Sequence, residues 1–350
     1  MTKIALLGDT HFGCSKASAT LHNYMKKFYV LLFRYLEKHD IKHLVQAGDL
    51  YDQRKDVHFY TIQWAKENFF AEIDRLDINL TVIAGNHDCV FKNHNRLNSI
   101  SLLCPDNTTI VDTEPRTVEV GGVSFDLYPW INPENLDQSL RFAADSTSKY
   151  ALGHFEFGGF PMHPGAICDH GLNYKSFSKY DEVFSGHFHT LSQKDNIQFL
   201  STPYEMSWSD CGDPKGFWVL DTETGAKEFI RNPYTLFERI NYVDDLTYDF
   251  SNATDKYIKI NIIEKLDQKK FDIFFDNIKL NRPYDVKINE HSFTESVAEA
   301  VDSTTLVTTN QMISNVIDNL DTSLDRAKLK NYVLEFYSEA MTINNQLEAS

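Results

Sequence analysis

The sequence predicts an α/β fold: mixed sheets, two of them packed face to face, followed by a small α/β module and a helical tail. Three observations predict it. Short apolar runs alternate with helical stretches at the start of the chain, which favours parallel strand pairing. Two glycine-marked hairpin signals follow, which call for antiparallel strands as well. Further on, a second strand-helix-strand pattern gives way to a polar stretch and then two amphipathic segments.

In order, Ile4 to Leu7, His43 to Ala47 and Leu80 to Ala84 read as short buried strands. Between the first two, Leu21, Tyr24, Phe28, Leu32 and Tyr35 recur at helical spacing. A second helix is expected from about His58 to Asp74. Thr117 to Val120 and Val123 to Tyr128 flank Gly121-Gly122, and Gly216 to Leu220 and Ala226 to Ile230 flank Thr224-Gly225; both read as hairpins. Lys256 to Ile263, a helical Gln268 to Leu280 and Tyr284 to Ile288 form the small module. The stretch from Glu290 to Asn310 is polar and rich in Thr and Ser, as linkers are. Beyond it run two apolar stripes. Met312, Ile313, Val316, Ile317 and Leu320 form one; Leu329, Val333, Phe336, Tyr337 and Ala340 form the other, with Asp321-Thr322-Ser323 offering an N-cap between them.

The chain has 350 residues, 42% of them hydrophobic, enough for a sizeable core and for two domains. No signal peptide is read at the N-terminus and no apolar run reaches the ~18 residues of a membrane span, so a cytoplasmic protein is expected. Five cysteines (Cys14, Cys89, Cys104, Cys168, Cys211) without Cys-x-x-Cys spacing read as free thiols of a reducing compartment. The net charge of -16 argues against a general nucleic-acid coat. It does not exclude a nuclease, because bound cations reverse the local sign of an acidic site and a basic partner can supply phosphate contacts.

Five short motifs carry the chemistry: Gly8-Asp9-Thr10-His11, Gly48-Asp49-Leu50-Tyr51-Asp52, Gly85-Asn86-His87-Asp88, Gly153-His154 and Gly186-His187-Phe188-His189. Most follow a strand-like run, and in open α/β sheets ligands gather beyond the carboxyl ends of strands. Each motif offers hard oxygen or imidazole donors. A phosphodiester is a poor electrophile, shielded by its charge; two cations ~3.5–4 Å apart can hold it, lower the pKa of a water and steady the leaving oxygen. Asp49 is the natural bridge. Asp9, His11 and His189 complete one ion's set; Asn86, His154 and His187 complete the other's. A donor set without thiolates suits manganese, or magnesium, better than a closed structural zinc site. His87, next to Asn86, is expected to face substrate and to stabilise the transition state or protonate the leaving oxygen, with Asp88 orienting it. Asp52 and Arg54 are candidate substrate contacts, Asp52 being also a candidate helix cap. His163 and His170 fall in a loop near the site. Cys14 and Cys89 flank motifs but are expected to pack.

Taken together, these phrases resemble the calcineurin-like metallophosphoesterases, and within them the SbcD-type DNA repair and recombination nucleases, nearest to those of T-even bacteriophages. Ser201-Thr202-Pro203 and Lys215-Gly216-Phe217 extend the likeness. The resemblance implies a four-layer α/β/β/α sandwich over residues 1–240, a capping module over 241–290, a linker over 291–310 and an ATPase-binding tail over 311–350. It also implies DNA as substrate, exonuclease and endonuclease action, an SMC-like ATPase as partner, and a homodimer inside a heterotetramer. On that reading Leu329, Val333, Phe336 and Tyr337 grip the ATPase's coiled coil. Two departures stand out: Asp52 occupies a position where cellular members often carry histidine, and the cap is short. Protein phosphatases of the superfamily follow the second motif with Asp-Arg-Gly and end the third in Glu, whereas this chain has Asp52-Gln53-Arg54 and Asp88. A small-molecule phosphodiesterase or phosphatase remains the second reading, and a catalytically silent adaptor the third.

Overall fold

The computed structural model describes residues 2–163 and 165–289 and, in the tail, residues 314, 316–318, 326 and 328–333. They fall into two compact units; the first holds almost all of the chain up to Tyr234, and the second is built on the chain from Thr235 onward.

The first unit is built on two six-stranded sheets. In the first sheet, β1 (Lys3–Leu7), β2 (His43–Gln46), β3 (Asn79–Ile83) and β4 (Thr109–Val111) run parallel. The second contains the hairpin β5 (Arg116–Val120) and β6 (Val123–Tyr128), then β7 (Tyr150–Gly153). The short strand β8 (Pro161–His163) follows, and β9 (Ala166–Ile167), next in the chain, is counted with the second unit. The second sheet resumes with β10 (Glu182–Ser185), β11 (Ser192–Lys194) and β12 (Ile197–Phe199). The chain then returns to the first sheet through the hairpin β13 (Gly216–Asp221) and β14 (Lys227–Arg231), with β13 antiparallel to β1. Strand order is β14-β13-β1-β2-β3-β4 in one sheet and β11-β12-β10-β7-β6-β5 in the other. Both predicted hairpins are present. So are the three predicted strands at the start of the chain, displaced by a residue toward the N-terminus at one end or both.

The sheets face each other across one apolar layer. Ile4, Leu6, Val45 and Ile83 from the first sheet meet Phe125, Leu127, Leu152 and Phe184 from the second, all without exposure. Leaving such side chains in water would cost ~1.5–3 kcal/mol each. On the far side of the first sheet lies the helix α1 (Ala19–Lys38), which buries Leu21, Tyr24, Met25, Phe28, Tyr29, Leu32, Phe33 and Leu36. Tyr35, expected on that stripe, is half-buried, and Leu36 is covered in its stead. Helix α2 (Phe59–Ala65) passes through a π turn (Lys66–Phe70) into α3 (Ala71–Arg75). Its Trp64 and Phe69 pack edge-on against Tyr29 of α1. The outer side of the second sheet is lined by Tyr128, Ala151, Phe155, Phe157, Val183 and Phe199. Leu140 and Phe142 of helix α5 (Leu136–Asp145) pack against it, α4 (Ser99–Leu103) lying earlier in the chain. Helix, sheet, sheet and helix are thus stacked in the expected sandwich.

The second unit has a three-stranded parallel sheet in the order β15 (Phe237–Tyr242), β16 (Tyr257–Ile262), β17 (Asp285–Asn289). Helix α6 (Gln268–Leu280) joins the last two, as the strand-helix-strand pattern predicts. Its Asp267 cap accepts from the amides of Lys269 and Lys270. Phe271, Phe274 and Ile278 pack on Ile240, Tyr242, Ile258 and Ile260. Among the described residues no helix is long and apolar enough to cross a membrane. Leu329 and Val333 are helical and half-buried; Phe336 and Tyr337 lie outside the described residues.

Candidate metal centre

Parallel pairing places the motifs together. Asp9 and His11 follow β1, Asp49 follows β2 and Asn86 follows β3, three adjacent parallel strands. His154 follows β7, and His187 and His189 follow β10, its parallel neighbour. The carboxyl ends of both sheets therefore open onto one site. The backbone there is bent hard: His11, Asp49 and His187 all have positive φ, at 42°, 54° and 79°. Non-glycine residues held in this region cost ~1–3 kcal/mol each and cluster at functional sites. Gly85 shows how close the loops come, since a Cβ there would overlap the backbone nitrogen and carboxylate of Asp49.

Seven side chains converge in two sets. In one, His11 Nε2 lies 3.2 Å from His189 Nε2, and His189 Nε2 lies 3.6 Å from Asp9 Oδ2. In the other, Asn86 Oδ1 lies 2.9 Å from His154 Nε2 and 3.0 Å from His187 Nδ1. Asp49 Oδ2 faces both, 3.6 Å from His11 Nε2 and 3.3 Å from His154 Nε2. Its other oxygen accepts from the backbone amide of His87 at 2.7 Å. The Asp9 carboxylate accepts from the amide of His187 at 2.9 and 3.1 Å.

The electrostatics call for positive charge. Burial and the neighbouring Asp49 push the Asp9 carboxyl up, against the pull of His154 and His11. Burial pushes Asp49 up too, but His154, His11 and His87 overcome it and hold it well below the usual carboxylate range. Burial would lower His11 and His154. The carboxylates of Asp52, Asp49 and Asp9 reverse that for His11, and Asp49 and Asp9 for His154, lifting each to about 9. His154 Nδ1 donates to the carbonyl of Ala47 at 2.8 Å, so in the neutral ring Nε2 is bare. That bare nitrogen points at Asn86 Oδ1, another acceptor. Oxygen and imidazole acceptors that face one another, buried or half-buried and with no thiolate among them, fit hard divalent cations.

The third motif is arranged differently from the sequence expectation. Asp88 does not orient His87. Its buried carboxylate accepts from the amides of Gly85, Leu50 and Tyr51 and from the Ser99 hydroxyl, at 2.9–3.2 Å. It ties the second motif to the third, and burial lifts it to about 6. Side chains of consecutive residues in a turn diverge, so adjacency in sequence does not make the two partners. His87 is held instead by the Asp52 carbonyl, 2.7 Å from its Nδ1. The Asp52 side chain, offered as a substrate contact or helix cap, lies 3.3 Å from His11 Nδ1. The helix cap at that point is His58, whose ring accepts from the Tyr60 amide. Arg54 places its guanidinium over the Trp130 ring at 5.3 Å.

Three participants had no role assigned from the sequence, and Glu156 had no motif to announce it. Glu156 Oε2 lies 3.7 Å from His187 Nε2. Ser201 and Lys215 both donate to the His189 carbonyl, at 2.9 and 2.8 Å, and so fix the loop that carries it. All five cysteines are free thiols; Cys14, Cys89 and Cys168 are buried.

An α/β/β/α sandwich with such a donor set at its strand ends defines a metallophosphoesterase. The family model for calcineurin-like phosphoesterases matches residues 2–191, and the chain belongs to that family. It is 32% identical over 341 residues to Exonuclease subunit 1 of Enterobacteria phage T4, covering 97% of this chain and 99% of that one. It is 22% identical over 295 residues to a subunit of the SbcCD nuclease of Staphylococcus epidermidis, covering 74% and 75% of the two chains. The family implies divalent metal ions at the site.

Proposed function

We propose that the chain is a manganese-dependent DNA nuclease, with magnesium as an alternative ion, and the nuclease subunit of a complex with an SMC-like ATPase in DNA recombination, repair and replication. The observation that carries this reading is the shared Asp49 oxygen between two part-buried donor sets. Two cations there would neutralise the phosphate, activate a water and steady the leaving oxygen.

On this reading Asp9, His11 and His189 hold one ion, Asn86, His154 and His187 the other, and Asp49 bridges. His87 acts on the proton. With Nδ1–H donating to the Asp52 carbonyl, its Nε2 is the atom that holds a proton and gives it to the leaving oxygen. Asp88 keeps the loops of the second and third motifs in register beneath it. Arg54, stacked on Trp130, offers its charge to the substrate backbone.

Both relatives are named as subunits of nucleases, which supports DNA as substrate and a partner for this chain. The proposed domains are nuclease over 1–240, cap over 241–290, linker over 291–310 and ATPase-binding tail over 311–350, with β15 of the second unit beginning at Phe237, ahead of the proposed cap boundary. The working assembly would be a nuclease homodimer with two ATPase subunits, in the bacterial cytoplasm.

The test is to incubate the pure chain with manganese and either duplex DNA or a chromogenic phosphodiester, with and without an SMC-like ATPase. The proposal expects DNA cleavage that the ATPase and ATP stimulate. Full activity on the small ester, with no DNA cleavage in either arm, would favour a small-molecule phosphodiesterase.

A further inference from the structure

Each donor set contains a histidine with a carboxylate behind it. His11 turns Nε2 toward Asp49 and His189, and its Nδ1 lies 3.3 Å from Asp52 Oδ1. His187 turns Nδ1 toward Asn86 and His154, and its Nε2 lies 3.7 Å from Glu156 Oε2. The two rings thus present opposite nitrogens to the centre, and in both the far nitrogen faces an acid. His154, in contrast, is backed by a carbonyl, that of Ala47.

A neutral imidazole carries one N–H and one bare nitrogen, and only the bare one can ligate a cation. Whatever holds the N–H on the far side therefore decides whether the near side can bind. We propose that Asp52 and Glu156 are positioning residues, one for each ion, that fix the ligating nitrogens of His11 and His187. This rests on the reading of the two donor sets given above.

The surroundings hold both acids in place. Glu156 Oε1 is 2.8 Å from His170 Nε2, and His170 Nδ1 is 3.0 Å from Asp169, so one oxygen is anchored and the other is left for His187. The loop carrying His170 is laced to the segment carrying Glu156: Leu172 donates to the Glu156 carbonyl at 2.7 Å and Gly158 to the Leu172 carbonyl at 3.1 Å. Gly171, at φ 88°, is required there, because a Cβ would overlap that same Glu156 carbonyl. Asp52 is fixed by the Gln53 amide at 2.7 Å on its other oxygen and by its amide bond to the Phe12 carbonyl at 3.1 Å.

The test uses the full chain and manganese alone. Calorimetry on the wild type, Asp52→Ala, Glu156→Ala and the conservative Asp52→Asn and Glu156→Gln gives the affinity of each ion. Each alanine variant should weaken one ion about 10–100-fold and leave the other within about 2-fold. The two variants should affect different ions. The amide variants, which keep an acceptor oxygen, should recover most of the loss. In parallel, nitrogen-15 spectra of the metal-free chain, recorded above the value of about 9 to which His11 is lifted so that its ring is neutral, report tautomers directly. His187 should carry its proton on Nε2 in the wild type and in Glu156→Gln, and populate both tautomers in Glu156→Ala. His11 should respond in the same way to Asp52, with Nδ1 as the protonated atom.

Unchanged affinities together with unchanged tautomers would overturn the inference. Equal weakening of both ions by either variant, with a lowered melting temperature, would also overturn it and make the acids structural. A wild type that binds fewer than two manganese ions would instead refute the reading of the donor sets, and the tautomer spectra would still decide the role of the two acids.

Discussion

The Asp49 carboxylate is divided between two tasks by the backbone of His87. The His87 amide donates to Oδ1 at 2.7 Å, and Oδ2 is left facing His11 on one side and His154 on the other. The residue proposed for proton transfer thus also orients the carboxylate proposed to bridge the ions, through its main chain. Substitutions of the His87 side chain leave that amide bond in place, which allows the two functions to be separated.

His87→Ser should therefore keep both metal ions and bind DNA, yet cleave it about 100-fold or more slowly, the low end of what a lost general acid costs. Manganese calorimetry beside a single-turnover cleavage assay checks this. Near-normal cleavage would remove His87 from the mechanism, and loss of an ion would make it a ligand.

The buried carboxylate of Asp88 gathers four donors, so its removal should be felt in the fold before the chemistry. Asp88→Ala leaves the amides of Gly85, Leu50 and Tyr51 without their acceptor. Unsatisfied buried donors cost ~1–3 kcal/mol each. Denaturant unfolding should show a loss of a few kcal/mol. A variant as stable as the wild type, with only catalysis impaired, would return Asp88 to the role of His87's partner.

Away from the site, His22 gives a pH signature. It is buried in α1 against Trp64 and Tyr60, with Nδ1 donating to the Ser18 carbonyl at 2.8 Å. Burial lowers its pKa below the ordinary 6.5, helped by His58. The unfolded chain then takes up a proton that the folded chain refuses. The stabilising contribution is whole above 6.5 and is lost as pH falls through the folded value. The melting temperature of the wild type should exceed that of His22→Phe by less at pH 5.5 than at pH 7.5. A gap that stays constant or widens would contradict the sign.

Truncation after Asn310 tests the tail. The proposal expects a folded, metal-binding chain with basal nuclease activity that no longer binds the ATPase or responds to ATP. Leu329→Asp combined with Phe336→Asp should act alike without shortening the chain. Continued co-purification with the ATPase would exclude the tail as the docking element. Unfolding would show that its apolar stripes belong to the chain's own core, a role in which Ile317 is already buried.

Much of this was legible in the sequence because the motifs are local. An acid or amide directly after an apolar run marks a strand end, and parallel pairing of β1, β2 and β3 carries Asp9, Asp49 and Asn86 to one edge. Gly121-Gly122 and Thr224-Gly225 announced their hairpins for equally local reasons. Relationships across the fold left no such trace. Glu156 sits two residues past His154 in a loop of no recognisable pattern, and only the seating of that loop brings it to His187. The contact of Asp52 with His11 depends on the turn after β2. The role of Asp88 was hidden because sequence adjacency to His87 says nothing about side-chain direction. Ser201 and Lys215 stood out as phrases, but their shared bond to the His189 carbonyl is visible only once β13 lies beside β1.

The central claim is that one carboxylate serves two ions, and manganese calorimetry on the wild type and Asp49→Ala tests it most directly. The account predicts two ions bound by the wild type and loss of the pair in Asp49→Ala, while His189→Ala mainly weakens a single ion. Two tight ions retained without the Asp49 carboxylate would contradict it.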